Sequence, residues 1–210
     1  MSYLLRVALP DVPGSLGRLA SAIGTAGGNI DAIEIVERTA DGRAVDDVFL
    51  AAEHGVMPDS IISACTALEG VDVLWISHYG AGSNLTRDLE VVEAMTAEPA
   101  SAPDTLIDLL PATFVVDWAA RVRRKGDGGE LVHGSSAAPS RIPPDIHWPA
   151  DLHRGALIEV PEELGEMLVA GCALGSAEMI VMVRRGGPEI LPSEIARLSH
   201  LAALAQSISG

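Results

Sequence analysis

Leu9-Pro10-Asp11-Val12-Pro13-Gly14-Ser15-Leu16, followed one helical span later by Ala26-Gly27-Gly28-Asn29-Ile30, decides how the first part of this chain reads. The stretch lies between an apolar run, Tyr3 to Leu9, and an alternating one, Ile30 to Arg38. Between its halves Leu16, Leu19, Ala20 and Ile23 recur at i, i+3, i+4 and i+7, which predicts a helix with one buried face. Strand, Asp-x-Pro-Gly turn, helix, Gly-Gly-Asn stop and strand thus follow in order within the first 38 residues. Pro13 has a preset φ suited to a first helical position, where its missing N–H costs nothing. The amides of Gly14, Ser15 and Leu16 are then expected to point outward, ready for an anion such as a carboxylate. Gly27 and Gly28 admit positive φ and end the helix. The spacing alone is equally that of an ordinary, well-punctuated β-α-β turn.

The order continues beyond the second strand. Ala40-Asp41-Gly42 is a hairpin turn between Ile30–Arg38 and Arg43–Ala52. Pro58 and Asp59 open a second helix with Ile61, Cys65 and Leu68 on one side, and Val71, Val73 and Trp75 alternate along a fourth strand. Asp11-Val12-Pro13-Gly14-Ser15-Leu16 with Gly28-Asn29-Ile30 resembles the signature of the ACT domain, a small regulatory module that binds amino acids. The resemblance covers residues 1–80 and implies a ferredoxin-like βαββαβ domain. It also implies a ligand site at the first turn, formed by Asp11, Val12, Gly14, Ser15, Leu16, Asn29 and Ile30. A ligand carboxylate would meet the amides of Gly14, Ser15 and Leu16, and Asp11 is available to its ammonium group. Asn29 offers a donor and an acceptor, from the other subunit if two copies pair. Val12, Leu16 and Ile30 would touch the side chain, which favours a small or branched apolar amino acid.

Composition is consistent with two small domains in 210 residues. Hydrophobic residues make up 48% but aromatics only 3%, so the core is expected to be mostly Val, Ile, Leu and Ala. The formal net charge of −15 argues against nucleic acid, whose phosphates demand a basic surface. No basic half is hidden: residues 1–80 hold eleven Asp and Glu against four Arg, and the rest hold eighteen against ten Lys and Arg. Cys65 and Cys172 stand singly in apolar stretches, the pattern of buried, reduced thiols. No leader pattern precedes the first strand, and no run approaches the ~18 apolar residues that span a bilayer. A cytoplasmic protein is expected, with no membrane partner.

Residues 81–103 are expected to be a helix and a Pro/Ala-rich linker, with a second domain over 104–210. Leu85, Leu89, Val92 and Met95 suggest the helix, Glu98 to Pro103 the linker, and Thr105 to Leu110 a short helical return. The second domain reads as β-rich. Trp118–Arg124 and Leu131–Ser135 form a hairpin, residues 136–154 a proline-rich loop, and Ala156–Val160, Leu168–Ala173 and Met179–Arg184 further strands. Ser193–Ser207 closes the chain as a helix. Met179 to Pro188 followed by Pro192 to Leu198 resembles the last strand and helix of GAF domains, sensory modules with a central antiparallel sheet and a small-molecule pocket. Two departures mark a reduced, pocketless version. The middle of the domain is too short for the helices that roof the pocket, and Leu191 stands where Ser or Thr often caps the last helix.

Catalytic constellations fail in turn. Gly134-Ser135-Ser136-Ala137 lacks the second glycine of a nucleophile elbow. Gly24-Thr25-Ala26-Gly27-Gly28 follows a helix, where a phosphate loop precedes one. His147, His153, Asp145 and Asp151 fit no standard metal spacing. Glu162 and Glu163 are adjacent and share no helix face. Arg121, Arg123, Arg124 and Lys125 read as the wet face and turn of a hairpin, and Trp118 and Trp148 are too distant to suggest a stacking platform. The chain is therefore read as a non-enzymatic regulatory protein with no cofactor and no metal. It is expected to bind a free amino acid at the first turn, as a homodimer, with a regulated protein as a further partner. The alternative is a ligand-free interaction subunit that uses the sheet edge of residues 1–80. A catalytic role for the second half is the least favoured reading.

Overall fold

β1 (Ser2–Pro10) is buried from Tyr3 through Leu9, because it runs between two neighbours in a four-stranded sheet. The computed structural model describes residues 1–78, 84–125, 128–142, 155–161 and 165–210. The described chain is a mixed α+β protein with two antiparallel sheets, in compact units at residues 1–83 and 84–210.

In the first unit β1, α1 (Ser15–Thr25), β2 (Gly28–Arg38), β3 (Arg43–Ala52), α2 (Pro58–Thr66) and β4 (Asp72–His78) follow in sequence. The strand order is β2-β3-β1-β4, antiparallel at every junction. Alternation sorts the side chains. Leu5, Val7 and Leu9 of β1 and Val48 and Leu50 of β3 share a core with Leu19 and Ile23 of α1 and Ile61 and Cys65 of α2. Pro58 opens α2 at its first turn, where a proline loses no hydrogen bond. Gly27, at φ 86°, turns the chain out of α1. Gly28 is required for space, since a Cβ there would lie 2.6 Å from the Ile23 side chain.

The opposite parity of the same strands carries a buried ion pair. Arg6 faces Asp47 across β1 and β3, and its Nε and Nη2 donate to the two carboxylate oxygens at 2.7 and 2.8 Å. Both residues are under 5% exposed. Removing one partner would leave a bare buried charge. Asp47→Ala is expected to cost about 3–5 kcal/mol, and the paired replacement Arg6→Met with Asp47→Leu much less. Denaturant midpoints of the three proteins check this; equal losses in the single and double variants would contradict it.

The second unit opens with α3 (Asn84–Ala97), a 3-10 turn at Pro99–Ser101 and α4 (Ala102–Phe114). Residues 98–103 therefore form a packed turn and helix start in place of a free linker. Val91 and Met95 of α3 and Ala102 of α4 are buried in the same core as Leu106, Leu110 and Phe114. The Pro/Ala/Ser composition that suggests a linker here makes a tight helical turn. The expected short return at Thr105–Leu110 is the middle of the longer α4.

A five-stranded sheet follows, in the order β6-β5-β9-β8-β7. Its strands are β5 (Trp118–Lys125), β6 (Gly128–Gly134), β7 (Ala156–Leu157), β8 (Met167–Leu174) and β9 (Glu178–Arg185). α5 (Pro192–Ser209) closes the chain. β7 is shorter than the expected Ala156–Val160 strand. One side of the sheet packs Ala119, Ala170, Ile180 and Met182 against the three helices, and the other gathers Trp118, Val122, Val169 and Val181.

The start of α5 compensates for its uncapped Leu191. The Glu194 carboxylate accepts from the Leu191 amide at 2.9 Å and from Arg184 Nη2 at 2.8 Å. Arg184 also donates to the carbonyls of Phe114 and Val115, so one buried pair ties α5 to the end of α4.

Candidate functional site

The turn from β1 into α1 differs in detail from its expected form. Val12 donates its amide to the Pro10 carbonyl at 2.9 Å, and Ser15 donates its amide to the Val12 carbonyl at 3.2 Å. The second bond closes a turn over Val12–Ser15 and leaves Pro13 outside the helix. α1 begins at Ser15, and Gly14 caps it at φ 92° in the left-handed region. The Ser15 amide is thus spent within the chain. Among the described residues no acceptor engages the amides of Gly14 and Leu16. Of the three amides expected to face an anion, those of Gly14 and Leu16 are left for one among the described residues.

A cavity of about 310 Å³ opens at this turn, lined by residues 9–16 together with Ile35, Ala44 and Asp46. Val12, Leu16 and Ile35 are its exposed apolar members, at 54, 36 and 39%. Asp11 lines it too, but its carboxylate already accepts from Arg38 Nε at 3.0 Å in an exposed pair. The structure thus brings Asp11, Val12, Gly14, Ser15 and Leu16 together.

Asn29 and Ile30 are elsewhere. They pair with Ala51 and Leu50 of β3, whereas the turn lies beside Arg43 at the other end of that strand. At ~3.3 Å per residue the separation is roughly 25 Å, so within one chain neither residue reaches the cavity. Ile30 instead packs against the core under α1 and α2. The antiparallel course explains this: α1 carries the chain back the full length of the sheet before β2 begins.

The residue that sequence reasoning missed is Asp46. It follows Ala44 and precedes Val48 and Leu50 at alternate positions of β3, so it takes a core-facing place in the strand. Asp46 is 1% exposed, and neither carboxylate oxygen has a hydrogen-bond partner among the described residues. Its neighbour Asp47 points to the opposite face and is fully paired with Arg6. The signal was present in Ala44-Val45-Asp46-Asp47-Val48, where one of two adjacent carboxylates must fall in the apolar register.

Burial pushes the Asp46 carboxyl up to about 6, and the charges of Asp11 and Asp47 act in the same direction against the pull of Arg38. The folded state therefore keeps a proton between pH ~3.8 and ~6 that the unfolded chain has released. This group's contribution to stability falls as pH rises through that window and is least favourable above it. Asp46→Asn is expected to stabilise the protein by about 1–2 kcal/mol at pH 8, with the difference shrinking toward pH 4. Thermal unfolding across pH checks both the sign and the window. Gly14→Ala is expected to lower stability by about 1–3 kcal/mol through its positive φ alone, because open space surrounds the position where its Cβ would stand.

Elsewhere the candidate groups are structurally engaged. Arg121 and Arg123 both pair with Glu178 of the neighbouring strand, and Arg121 also with Asp104. Burial raises the Glu178 carboxyl, but the bonds from Arg121 and Arg123 outweigh it and hold the group below its ordinary value. The Ser135 hydroxyl accepts from the Ala119 amide. Cys65 and Cys172 are buried free thiols, pushed up to about 11 and about 12 by burial. His147, His153, Asp145, Asp151, Trp148, Glu162 and Glu163 lie outside the described residues. Among the described residues no cluster of three His, Cys, Asp or Glu is placed to hold a metal, and no helix is long and apolar enough to cross a membrane.

No protein-family model matches the chain, and no curated protein matches it. Several solved structures are similar to part of it. One is the GAF domain of an Acinetobacter phosphoenolpyruvate-protein phosphotransferase, at 10% identity and a TM-score of 0.45 over 61% of this chain and 93% of that one. Another is the free methionine-R-sulfoxide reductase of Neisseria meningitidis in complex with its substrate, at 11% identity and 0.46 over 63% and 93%. The Nlh2 GAF domain of A. aeolicus aligns at 7% identity and 0.44 over 60% and 97%. Two of these three are GAF domains.

Proposed function

We propose that this chain is a non-enzymatic regulatory protein whose first unit, an ACT-like domain of ferredoxin-like topology, binds a free amino acid at the β1–α1 turn. The observation that carries the reading is the cavity itself. It combines the uncommitted amides of Gly14 and Leu16, at a helix N-terminus that favours anions, with an apolar rim of Val12, Leu16 and Ile35. A carboxylate on a short apolar side chain fits those two features together. The volume suits a molecule of that size and not a nucleotide or tetrapyrrole. The second unit, in this reading, is a reduced GAF-like domain that serves assembly or contact with a regulated protein.

A homodimer completes the proposal. β2 and β4 are the open edges of the first sheet, and proteins commonly pair or cover such edges. Pairing one edge with its symmetry mate would give an eight-stranded sheet and would bring a second Asn29 into play.

The alternative is a ligand-free interaction subunit. It is favoured by one observation, the exposure of Ile33 and Ile35 on the edge strand β2. Two register irregularities and the acidic Asp31, Glu34 and Glu37 along that strand oppose it, since bulges and charges are devices that discourage edge pairing.

A thermal-shift screen of the twenty amino acids separates the readings. A branched apolar amino acid is expected to raise the melting temperature, and arginine, lysine, aspartate and glutamate are not. No shift with any of them would leave the interaction subunit standing. Light scattering is expected to report a dimer at micromolar concentration.

A further inference from the structure

We propose that Asp46 holds the ammonium group of the ligand, which makes the cavity at the β1–α1 turn a site for primary amines and zwitterions and not for carboxylic acids in general. The inference deepens the amino-acid reading and rests on it.

Four observations carry it. Asp46 lines the cavity, is 1% exposed and lacks any hydrogen-bond partner on either oxygen among the described residues. Buried carboxylates in folded proteins are ordinarily paired, as Asp47 one position away is with Arg6. A bare one beside a cavity is an acceptor that still lacks its donor. Gly14 and Leu16 line the same cavity, and no acceptor engages their amides among the described residues, so residues able to bind an anion and a cation border a single space. Asp11, the acceptor nearest to hand in the sequence, is engaged by Arg38 at the exposed mouth. It would have to break that pair to serve.

The chemistry of the occupant follows. An ammonium brings three N–H donors and one positive charge. It satisfies a carboxylate's oxygens and cancels the charge whose burial is unfavourable. A divalent metal needs several further oxygen, nitrogen or sulfur ligands, and no such set surrounds Asp46 among the described residues. A plain carboxylic acid would fill the amide end of the cavity and bring a second anion toward Asp46. The site should therefore discriminate against the deaminated analogue of its own ligand. Buried hydrogen-bonding sites reject analogues that leave them unpaired far more strongly than apolar pockets reject a missing methylene.

Isothermal calorimetry on the full chain tests this with L-valine, 3-methylbutanoate (valine without its amino group) and the variants Asp46→Asn and Asp11→Asn. L-valine is expected to bind the wild type, and 3-methylbutanoate to bind at least tenfold more weakly. Asp46→Asn is expected to weaken L-valine by about ten- to a hundredfold, the range for a lost charge-assisted bond, while Asp11→Asn changes it less than threefold. Because Asp46→Asn removes an unpaired buried charge, its melting temperature at pH 8 should equal or exceed that of the wild type, which separates lost binding from lost folding. Unchanged affinity in Asp46→Asn, or 3-methylbutanoate binding as tightly as L-valine, would overturn the Asp46 assignment and leave the amino-acid reading intact. No heat from the wild type with any of the twenty amino acids would overturn both.

Discussion

The first unit is organised by a constraint on β1: it has a neighbour on each side and buried side chains on both faces. Nine residues from Ser2 to Pro10 pair with β3 along their whole length, and most of them with β4. Leu5, Val7 and Leu9 accordingly meet the helices, while Arg6 on the other face must find a carboxylate or remain a buried bare charge. Asp47 supplies it. The registry that places Arg6 opposite Asp47 also places Val7 opposite Asp46. A slip of one residue would expose the apolar set, break the ion pair and move Asp46 off the cavity at once. The position of the candidate site is thus fixed by the β1–β3 register.

Much of this was legible in sequence because each step rests on local chemistry. The strand–turn–helix order follows from apolar periodicity and from Pro13, Gly14 and Gly27, whose backbone preferences act over a few residues. The cluster Asp11 to Leu16 is contiguous, so any turn there gathers it. Asn29 and Ile30 lie far from the turn within one chain because motif proximity in sequence is not proximity along a sheet. Eleven helical residues carry the chain back the length of β1 before β2 starts. Asp46 was missed for the opposite reason. It is distant in sequence from the turn and reaches it only through the β1–β3 register, a non-local quantity that composition and spacing do not report.

The stretch read as a linker illustrates a related point. Pro99, Ala100, Ser101, Ala102 and Pro103 are a loop-like composition, yet Ala102 and Pro103 are buried and begin a thirteen-residue helix. Proline at the first turn of a helix loses no hydrogen bond, so the same residues serve a linker or a helix start equally well. What decides between them is whether Val91, Met95, Leu106 and Leu110 find a common partner, and here they share one core. Leu191 makes the complementary case. A poor capping residue is tolerated because Glu194, three residues on, bonds its amide and is itself held by Arg184.

Asp46 and Asp47 together show how a fold and a site can draw on the same residue type at opposite energetic signs. Adjacent on one strand, they point to opposite faces; one is neutralised by an arginine that the fold provides, the other by nothing among the described residues. Selection for stability alone would replace Asp46 with an apolar residue to match Val48 and Leu50 along the same face, or with asparagine. An ionised carboxylate there is unfavourable to the free protein, and a bound cation would offset that cost. Such a group couples occupancy to folding free energy, since a ligand that binds only the native state adds its full binding energy to stability. The candidate site also lies where β1, the α1 cap and β3 converge. On the proposed reading, a ligand bound there would tighten the turn beside Gly14, and with it the start of α1, without any large rearrangement of the sheet.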